Sequence, residues 1–341
     1  MSKLIDQLAE LTGQRDRDIL DTTLANAIND LIRPLTVAVY RVVGDCGEER
    51  WMTRARMRRG EPMATADPGW IDTGHLPRLA DFPQRSAALT GQPTTMGGPD
   101  CNVTVFPLAT DRETVGVVEL VTEDALGETA WSTMVSVLRI FRNFQSLLDY
   151  SERDTLTGLL NRKTFDDSFF KVIHGAAQWP SRTEERRSES AMPQSWLAMV
   201  DIDFFKSVND NFGHLIGDEV LLLLSRLMRS TLRFQDRIYR FGGEEFVIVM
   251  PCGSERNAAT ILERLRSNTE CFSFPQVGCL TVSIGFTAIL PSDSPSSALQ
   301  RADRSVYHAK ANGRNRVCSH TVLVATGELK ATENVGDIEL F

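Results

Sequence analysis

Four clusters in the second half of the sequence carry side chains whose types and spacing could do chemistry. In the first, an apolar run ending at Val200 is followed by Asp201 and Asp203. Side chains of a strand alternate between its two faces, so both carboxylates are expected on one face at a strand end. Carboxylates there suit Mg²⁺, which also takes phosphate oxygens from a substrate. A strand end with solvated acids is the alternative for this cluster alone.

The second cluster is Gly-Gly-Glu-Glu, which lies between the strand-like runs 237–240 and 246–250. Paired glycines between two strands predict a hairpin turn, and glycine allows a bulky ligand to approach the backbone. Glu244 and Glu245 would then add carboxylates near the same edge of the sheet. A plain hairpin with exposed acids is the alternative.

The third cluster, residues 209–218, runs into a predicted helix, with Asp218 at or near its start. Asn209 and Asp218 together could read a guanine edge, because a carboxylate accepts from ring and amino hydrogens and an amide can pair with the remaining groups. A helix cap is the alternative for Asp218.

The fourth cluster is a helix that is predicted to end at Gly313, with Lys310 and Arg314 four residues apart. Both cations could therefore point at one phosphate group. The alternative is a favourable interaction of basic residues with the helix dipole.

In this order, the clusters resemble the diguanylate cyclase (GGDEF) family over about residues 151–320. The resemblance is carried by segments 154–162, 201–210, 242–246 and 307–315, and the signature is the GGEEF variant. It implies an α/β (α+β) fold with a central five-stranded sheet wrapped by helices. It also implies condensation of two GTP molecules into cyclic di-GMP with release of two pyrophosphates.

The resemblance implies a role for individual residues. Mg²⁺, or alternatively Mn²⁺, would be held by Asp201, the carbonyl of Ile202, Glu244 and Glu245. Glu244 and Glu245 are the implied catalytic residues, and Glu244 is the candidate base for the attacking 3′-hydroxyl. The implied contacts to the nucleotide come from Phe204, Phe205, Lys206, Asn209, His214, Asp218, Lys310 and Arg314.

A further match is Arg233-Phe-Gln-Asp236, just before the Gly-Gly turn. It resembles the RxxD inhibitory site of the family, at which the product cyclic di-GMP would bind, and Arg264 fits a secondary arginine of that site. Two exposed charged residues are the alternative.

The first half predicts helices at 16–33 and 126–150 that frame strands at 35–43, 49–57, 102–109 and 114–121. Element order and length resemble the GAF family of small sensory domains, with a PAS-like domain as the competitor. No ligand constellation appears in residues 1–150, so the sensory ligand is unknown.

The second of these helices has an apolar spacing that suits a seam between two helices, with Gln145 at one seam position. A helix packed on its own sheet is the alternative. The seam residues are Trp131, Met134, Leu138, Phe141 and Leu148.

The predicted organisation is a GAF-like sensor at 1–150, a GGDEF domain at 151–320 and a tail at 321–341, with a surface loop at 176–195. One domain holds one GTP, so ring closure requires a homodimer. The runner-up interpretations are a degenerate domain that binds GTP or cyclic di-GMP without catalysis, and a nucleotide-dependent scaffold.

Composition limits the remaining classes. The chain has 341 residues, is 42% hydrophobic and has a formal charge of −8, so disorder is excluded as its main state. It has no apolar run near the ~20 residues of a membrane span and no signal-peptide core, which predicts a cytoplasmic protein. The acidic balance argues against a nucleic-acid surface. Six cysteines without a CxxC pair predict free thiols.

Overall fold

The structure is a computed structural model that describes residues 17–44, 47–61, 64–67, 73–98, 100–110, 113–177, 194–233 and 235–330. The chain divides into two compact units, Met1–Ser151 and Glu152–Phe341. Most of the loop predicted at 176–195 lies outside the described residues, as does the tail beyond residue 330. The five described cysteines are free thiols.

A five-stranded antiparallel sheet with order β2-β1-β5-β4-β3 forms the first unit. Its strands are β1 (Thr36–Val43), β2 (Arg50–Arg58), β3 (Thr94–Gly97), β4 (Asn102–Ala109) and β5 (Thr114–Thr122). Its helices are α1 (Arg17–Ile32), the short α2 (Pro83–Ala88) and α3 (Glu128–Glu152). The long strands and both long helices lie where the sequence predicts them, whereas β3 is an addition. The assignment to a GAF-like or a PAS-like family stays a prediction.

The buried face of α3 packs on the sheet of its own unit. Met134, Phe141 and Leu148 belong to one apolar core with residues of α1, β1 and β5. The ring of Trp131 lies 5.0 Å from that of Phe106 on β4. For these residues the seam prediction is wrong and the alternative is confirmed, because the apolar stripe is used inside the unit.

The second unit has a mixed sheet with order β13-β12-β7-β9-β8-β6. Its six strands are β6 (Leu160–Asn161), β7 (Gln194–Ile202), β8 (Arg237–Gly242), β9 (Glu245–Cys252), β12 (Val282–Ala288) and β13 (Val317–Ser319). The sheet has six strands where five are expected. Its two edge strands, β6 and β13, have only two and three residues. A separate two-stranded ribbon pairs β10 (Ser273–Phe274) with β11 (Gly278–Cys279).

Helices cover both faces of this sheet. They are α4 (Arg162–Ala177), α5 (Phe205–Phe212), α6 (His214–Thr231), α7 (Glu255–Cys271), α8 (Pro295–Ala311) and α9 (His320–Ala325). Along β7, Ala198 and Val200 enter a core that contains residues of α6 and α7, and Leu197 and Met199 enter a core that contains residues of α4 and α8. The alternation of strand side chains therefore turns Asp201 towards α8. Within the described ranges, no helix has the length and hydrophobicity needed to cross a bilayer.

Candidate active site

The end of β7 brings two of the predicted acids together. Asp201 is the partner of Glu245 across the antiparallel pair of β7 and β9. Directly opposite residues in such a pair have neighbouring side chains on one face, and like charges there are destabilising. The strand pairing thus places two carboxylates side by side at a cost in stability.

The turn between β8 and β9 depends on its two glycines. Gly242 has φ 146° and Gly243 has φ 51°, which are conformations that residues with a Cβ rarely adopt. Glu244 completes this turn, immediately before β9. The predicted hairpin is confirmed, and it delivers Glu244 to the edge at which Asp201 and Glu245 lie.

A series of hydrogen bonds from Asp154 through Arg240 to Gly243 holds the turn between β8 and β9. Asp154 accepts hydrogen bonds from the backbone and hydroxyl of Thr157 and from Arg240 Nη1, the last at 3.0 Å. Arg240 in turn donates through Nε and Nη2 to the carbonyl of Gly243, at 3.2 and 3.0 Å. Burial alone would raise the pKa of Asp154, but the bonds from Thr157 and Arg240 hold it below its ordinary value. No sequence pattern indicates this role of Arg240, because its contact with Asp154 joins residues that lie 86 positions apart.

The carboxylate of Asp201 is buried and only partly neutralised. One oxygen lies 2.7 Å from Lys310 Nζ, while the other, Oδ1, is buried without a hydrogen-bond partner among the described residues. Burial raises the pKa of Asp201 to about 6, Lys310 counteracts this, and the charges of Glu244 and Glu245 raise it further. The site therefore holds excess negative charge in a setting of low polarity.

The donor set fits a divalent cation of the hard, oxygen-binding class. In the described parts of the chain, no group of three His, Cys, Asp or Glu residues is already gathered as a metal cluster. Mg²⁺ does not require one, because it binds through one or two carboxylates and completes its shell with water and phosphate oxygens. The unpartnered buried oxygen of Asp201 is the strongest indication of such an ion.

The second acid at the end of β7, Asp203, has a structural role. Both oxygens of Asp203 accept hydrogen bonds, from Thr281 Oγ1 and Ser283 Oγ at 2.7 Å and from the backbone N–H of Asn315 at 3.0 Å. The expectation that Asp201 and Asp203 form a carboxylate pair for Mg²⁺ is therefore wrong. Asp203 ties the end of β7 to β12 and to the turn that follows α8.

That turn positions Arg314 by a route that the four-residue spacing did not predict. The helix α8 ends at Ala311, so Arg314 lies outside it, in a turn where Gly313, Arg314 and Asn315 all have positive φ. Its guanidinium lies 4.3 Å from the ring centroid of Phe204, which has φ 59° itself. Two of the residues that are predicted to contact the nucleotide thus meet by stacking.

Phe204 also marks the start of α5. Phe205 is the first residue of this helix and is buried, whereas the side chain of Lys206 is exposed. The N–H groups of the first turn of a helix favour an anion such as a phosphate. The backbone amides at Phe205 and Lys206, Arg314 and Lys310 therefore bring positive potential to one end of the sheet.

The predicted guanine readers lie on the adjacent helices α5 and α6. Asn209 is near the end of α5, and a Cβ on Gly217 would approach its Oδ1 to 2.0 Å. Gly217, which the sequence reasoning missed, thus leaves the room that this amide needs. Asp218 follows it in the second turn of α6, whose cap is Gly213, so the capping alternative for Asp218 is wrong. His214 is the exposed first residue of α6.

The three residues of the predicted inhibitory site lie near one another. Asp236 accepts a hydrogen bond from the backbone N–H of Arg233 at 2.8 Å, and Arg264 on α7 donates to the carbonyl of Thr231. Burial raises the pKa of Asp236, whereas the charges of Arg233 and Arg264 lower it. Arg233 is exposed and Asp236 is buried, so Asp236 serves the local fold while Arg233 faces solvent.

A cavity of about 330 Å³ opens beside the acids. Asp201, Glu245 and Lys310 line it together with Tyr307 and Leu329. The acids and the lysine therefore surround a space that is large enough for part of a ligand.

The comparisons with known proteins concern the second unit. The family model described as "Diguanylate cyclase, GGDEF domain" matches residues 151–316. The chain is 37% identical over 170 residues to Diguanylate cyclase VdcA of Vibrio cholerae, covering 48% of this chain and 45% of that protein. It is 38% identical over 181 residues to the response regulator PleD of Caulobacter vibrioides, covering 51% of this chain and 37% of that one.

Among solved structures, the GGDEF domain of DgcB from Caulobacter crescentus in complex with c-di-GMP is similar to this chain. It shows 32% sequence identity and a TM-score of 0.43, covering 50% of this chain and 93% of that one. The chain spans less than half the length of VdcA and of PleD. The segment 151–316, with its Gly-Gly-Glu-Glu turn opposite Asp201, is a GGDEF domain of the diguanylate cyclase family.

Proposed function

We propose that this chain is a diguanylate cyclase that condenses two GTP molecules into cyclic di-GMP and releases two pyrophosphates. The observation that carries the proposal is the acid cluster at the end of β7, where Asp201 faces Glu245 and is only partly neutralised by Lys310. Buried excess charge of this kind is costly in a purely structural sheet end. It is useful where a cation and a triphosphate bind together.

The residues of the chain divide the work by charge. Asp201, Glu244, Glu245 and the carbonyl of Ile202 would hold Mg²⁺, with Mn²⁺ as an alternative. When bound, the ion supplies charge stabilisation for in-line attack on the α-phosphate. Glu244 accepts the proton of the attacking 3′-hydroxyl.

The cationic groups orient the nucleotide. Lys310, Arg314, Lys206 and the amides at Phe204 and Phe205 contact the phosphates. Asn209 and Asp218 read the guanine from neighbouring helices, with His214 beside them. Because Arg314 rests on the ring of Phe204, its guanidinium is held in place before the phosphate arrives.

Two chains are required, since each contributes one GTP and the two nucleotides must lie antiparallel for ring closure. Candidate contact residues on α3 are Leu147 and Tyr150, whose side chains are 68% and 78% exposed. The first unit would then regulate catalysis by changing how two copies pair in response to an unknown ligand. GTP is a cytoplasmic metabolite, so the proposal places the reaction in the cytoplasm.

Product would restrain the enzyme at Arg233, Asp236 and Arg264. Arg233 is the exposed cation of this group, and the guanidinium suits a bidentate contact with a phosphate. The variant Arg233→Ala is expected to lose inhibition by added cyclic di-GMP while it keeps its initial rate. Unchanged inhibition would remove this part of the proposal.

The deciding experiment incubates the purified full chain with GTP and Mg²⁺ and detects cyclic di-GMP and pyrophosphate by mass spectrometry. The matched control is Glu244→Gln, which keeps the side-chain shape and removes the charge. Product from the natural chain and none from the control supports the proposal. Binding of GTP without turnover would instead identify a degenerate, nucleotide-binding effector.

A further inference from the structure

The chain continues beyond the matched family segment and folds back onto the helix that carries Lys310. After α9, the residues Thr326–Lys330, named here the C-terminal strap, reverse direction at Gly327, which has φ 76°. The backbone N–H groups of Glu328 and Leu329 both donate to the carbonyl of Leu323, at 2.9 and 3.0 Å. Leu323 is buried, so the strap is fixed to a packed residue.

Two side chains of α8 hold the strap. Arg304 Nη2 donates to the carbonyl of Lys330 at 2.8 Å, and His308 Nε2 lies 2.9 Å from Glu328 Oε2. Residues four apart share one face of a helix, so the strap covers one side of the last two turns of α8. Lys310, in the last of these turns, reaches Asp201.

The strap also forms part of the catalytic cavity. Leu329 lines the same 330 Å³ space as Asp201, Glu245 and Lys310. An apolar side chain at this position limits the access of water to the buried carboxylate of Asp201, which strengthens its interaction with Lys310. The wall of the site therefore includes a residue 13 positions beyond the end of the family match at residue 316.

The end of α8 needs such support. Two non-glycine residues with positive φ follow it, Arg314 and Asn315, and they store backbone strain. Strain of this kind persists only where the surroundings over-determine the conformation. Asp203 holds one side of the turn through the N–H of Asn315. The strap holds the helix from which the turn emerges.

We infer that the C-terminal strap is part of the nucleotide site, with Glu328 as a positioning residue that fixes Lys310 through α8, and Leu329 as a wall of the cavity. The expected changes in KM and kcat rest on the proposed cyclase function, whereas the expected change in nucleotide affinity does not. Since Lys310 would meet phosphates in the ground state as well as the transition state, loss of the strap weakens binding more than turnover.

The test compares Glu328→Ala, Glu328→Gln and Leu329→Ala in the full chain. The matched control is Glu123→Ala, because Glu123 is a glutamate of similar exposure that pairs with Arg59 in the first unit. Equilibrium binding of a non-hydrolysable GTP analogue with Mg²⁺, hydrogen exchange of residues 320–330 and the melting temperature are measured for each. KM and kcat for GTP are measured wherever product forms.

Glu328→Ala is expected to accelerate exchange of the strap amides and to weaken analogue binding about three- to fivefold, which is the effect of losing one partly exposed hydrogen bond. Leu329→Ala should weaken binding without releasing the strap, and Glu328→Gln should keep most of the affinity, because its amide oxygen can accept from His308. KM should rise while kcat stays within about twofold. The control should change neither exchange nor affinity.

Two outcomes would overturn the inference. One is a released strap, seen by exchange, with unchanged affinity for the analogue in both alanine variants. The other is an affinity loss that only accompanies a lower melting temperature in every variant, which is the signature of a purely structural role. If no variant and no natural chain forms product while the binding changes appear, the cyclase proposal fails and the strap inference stands.

Discussion

Both units of this chain bury carboxylates beside a sheet, but they neutralise them in different ways. In the first unit, Asp21 on α1 accepts two hydrogen bonds from Arg41, at 2.6 and 3.1 Å, and lies 3.4 Å from Arg54. In the second unit, Asp201 has Lys310 at 2.7 Å and two like-charged glutamates as neighbours.

A second carboxylate in the first unit, that of Glu119, is also neutralised by an arginine. Arg85 donates to both oxygens of Glu119, at 2.7 and 3.0 Å, and its guanidinium lies between the rings of Tyr40 and Phe82, at 3.6 and 4.0 Å. The carboxylates of Asp21 and Glu119 thus have cationic partners within the protein and need no ligand to neutralise them. Charge that is balanced inside the fold indicates architecture, whereas the unbalanced charge at the end of β7 indicates a place for an external cation.

The largest expected effect is on the catalytic rate and tests the acid cluster at the end of β7. Glu244→Gln should lower the rate of cyclic di-GMP formation by about a thousandfold or more, because it removes both the candidate base and one charge for the cation. The melting temperature should stay the same or rise, since a repulsive charge is removed. An active Glu244→Gln enzyme would contradict the assignment of this residue.

Removing a carboxylate that is neutralised within the first unit should lower the stability of the chain. Asp21→Asn leaves two arginines without their shared carboxylate, so the free energy of unfolding should fall by about 2 to 3 kcal/mol. Urea denaturation of the full chain measures it, with Glu123→Gln as a control for an exposed pair. A loss below about 0.5 kcal/mol would show that Asp21 is not a structural charge.

A smaller effect depends on pH. The folded pKa of Asp201 is about 6, above the ordinary 3.8, so the native chain binds this proton more tightly than the unfolded chain. Stability should therefore fall as pH rises from about 4 to 6, and the full cost, up to about 3 kcal/mol, applies above pH 6.

Asp201→Asn removes that cost together with the Lys310 pair, so the variant should be more stable than the natural chain by about 1 to 2 kcal/mol at pH 8. The difference should vanish near pH 4. Denaturation curves at the two pH values, recorded without divalent cations, provide the measurement. A less stable Asn variant at pH 8 would show that Lys310 already balances the site.

The smallest effect concerns the turn. Arg240→Lys keeps a charge near Asp154 but loses the fork that donates to the Gly243 carbonyl, so we expect about a tenfold lower kcat. Arg162→Lys, which also changes an arginine beside Phe241, is the control and should retain its rate. Equal rates for both variants would show that the fork does not position Glu244.

Local patterns predicted the elements of the site well. Strand alternation and paired glycines are short-range signals, and they correctly placed Asp201 at the end of β7 and the turn before β9. The motif order then identified the family, although Asp203 was paired with Asp201 because alternation alone does not reveal the three donors that fill its oxygens.

Long-range contacts account for the rest. The four-residue spacing aligned Arg314 with Lys310 on one side of a predicted helix end, but the strained turn and the ring of Phe204 determine its position. The ion pair of Arg240 with Asp154 and the contacts of the strap with α8 join segments whose proximity no periodicity encodes. The apolar stripe on α3 fitted two partners equally well, and only the packed core decided between them.

The strained backbone at Phe204, Arg314 and Asn315 has a consequence for laboratory evolution. At each of these positive-φ positions a glycine would relieve strain, and at Asp201 an asparagine would relieve repulsion. A selection for heat resistance alone would therefore enrich changes that dismantle the nucleotide site. Survivors of such a selection would map the site by the residues they had lost.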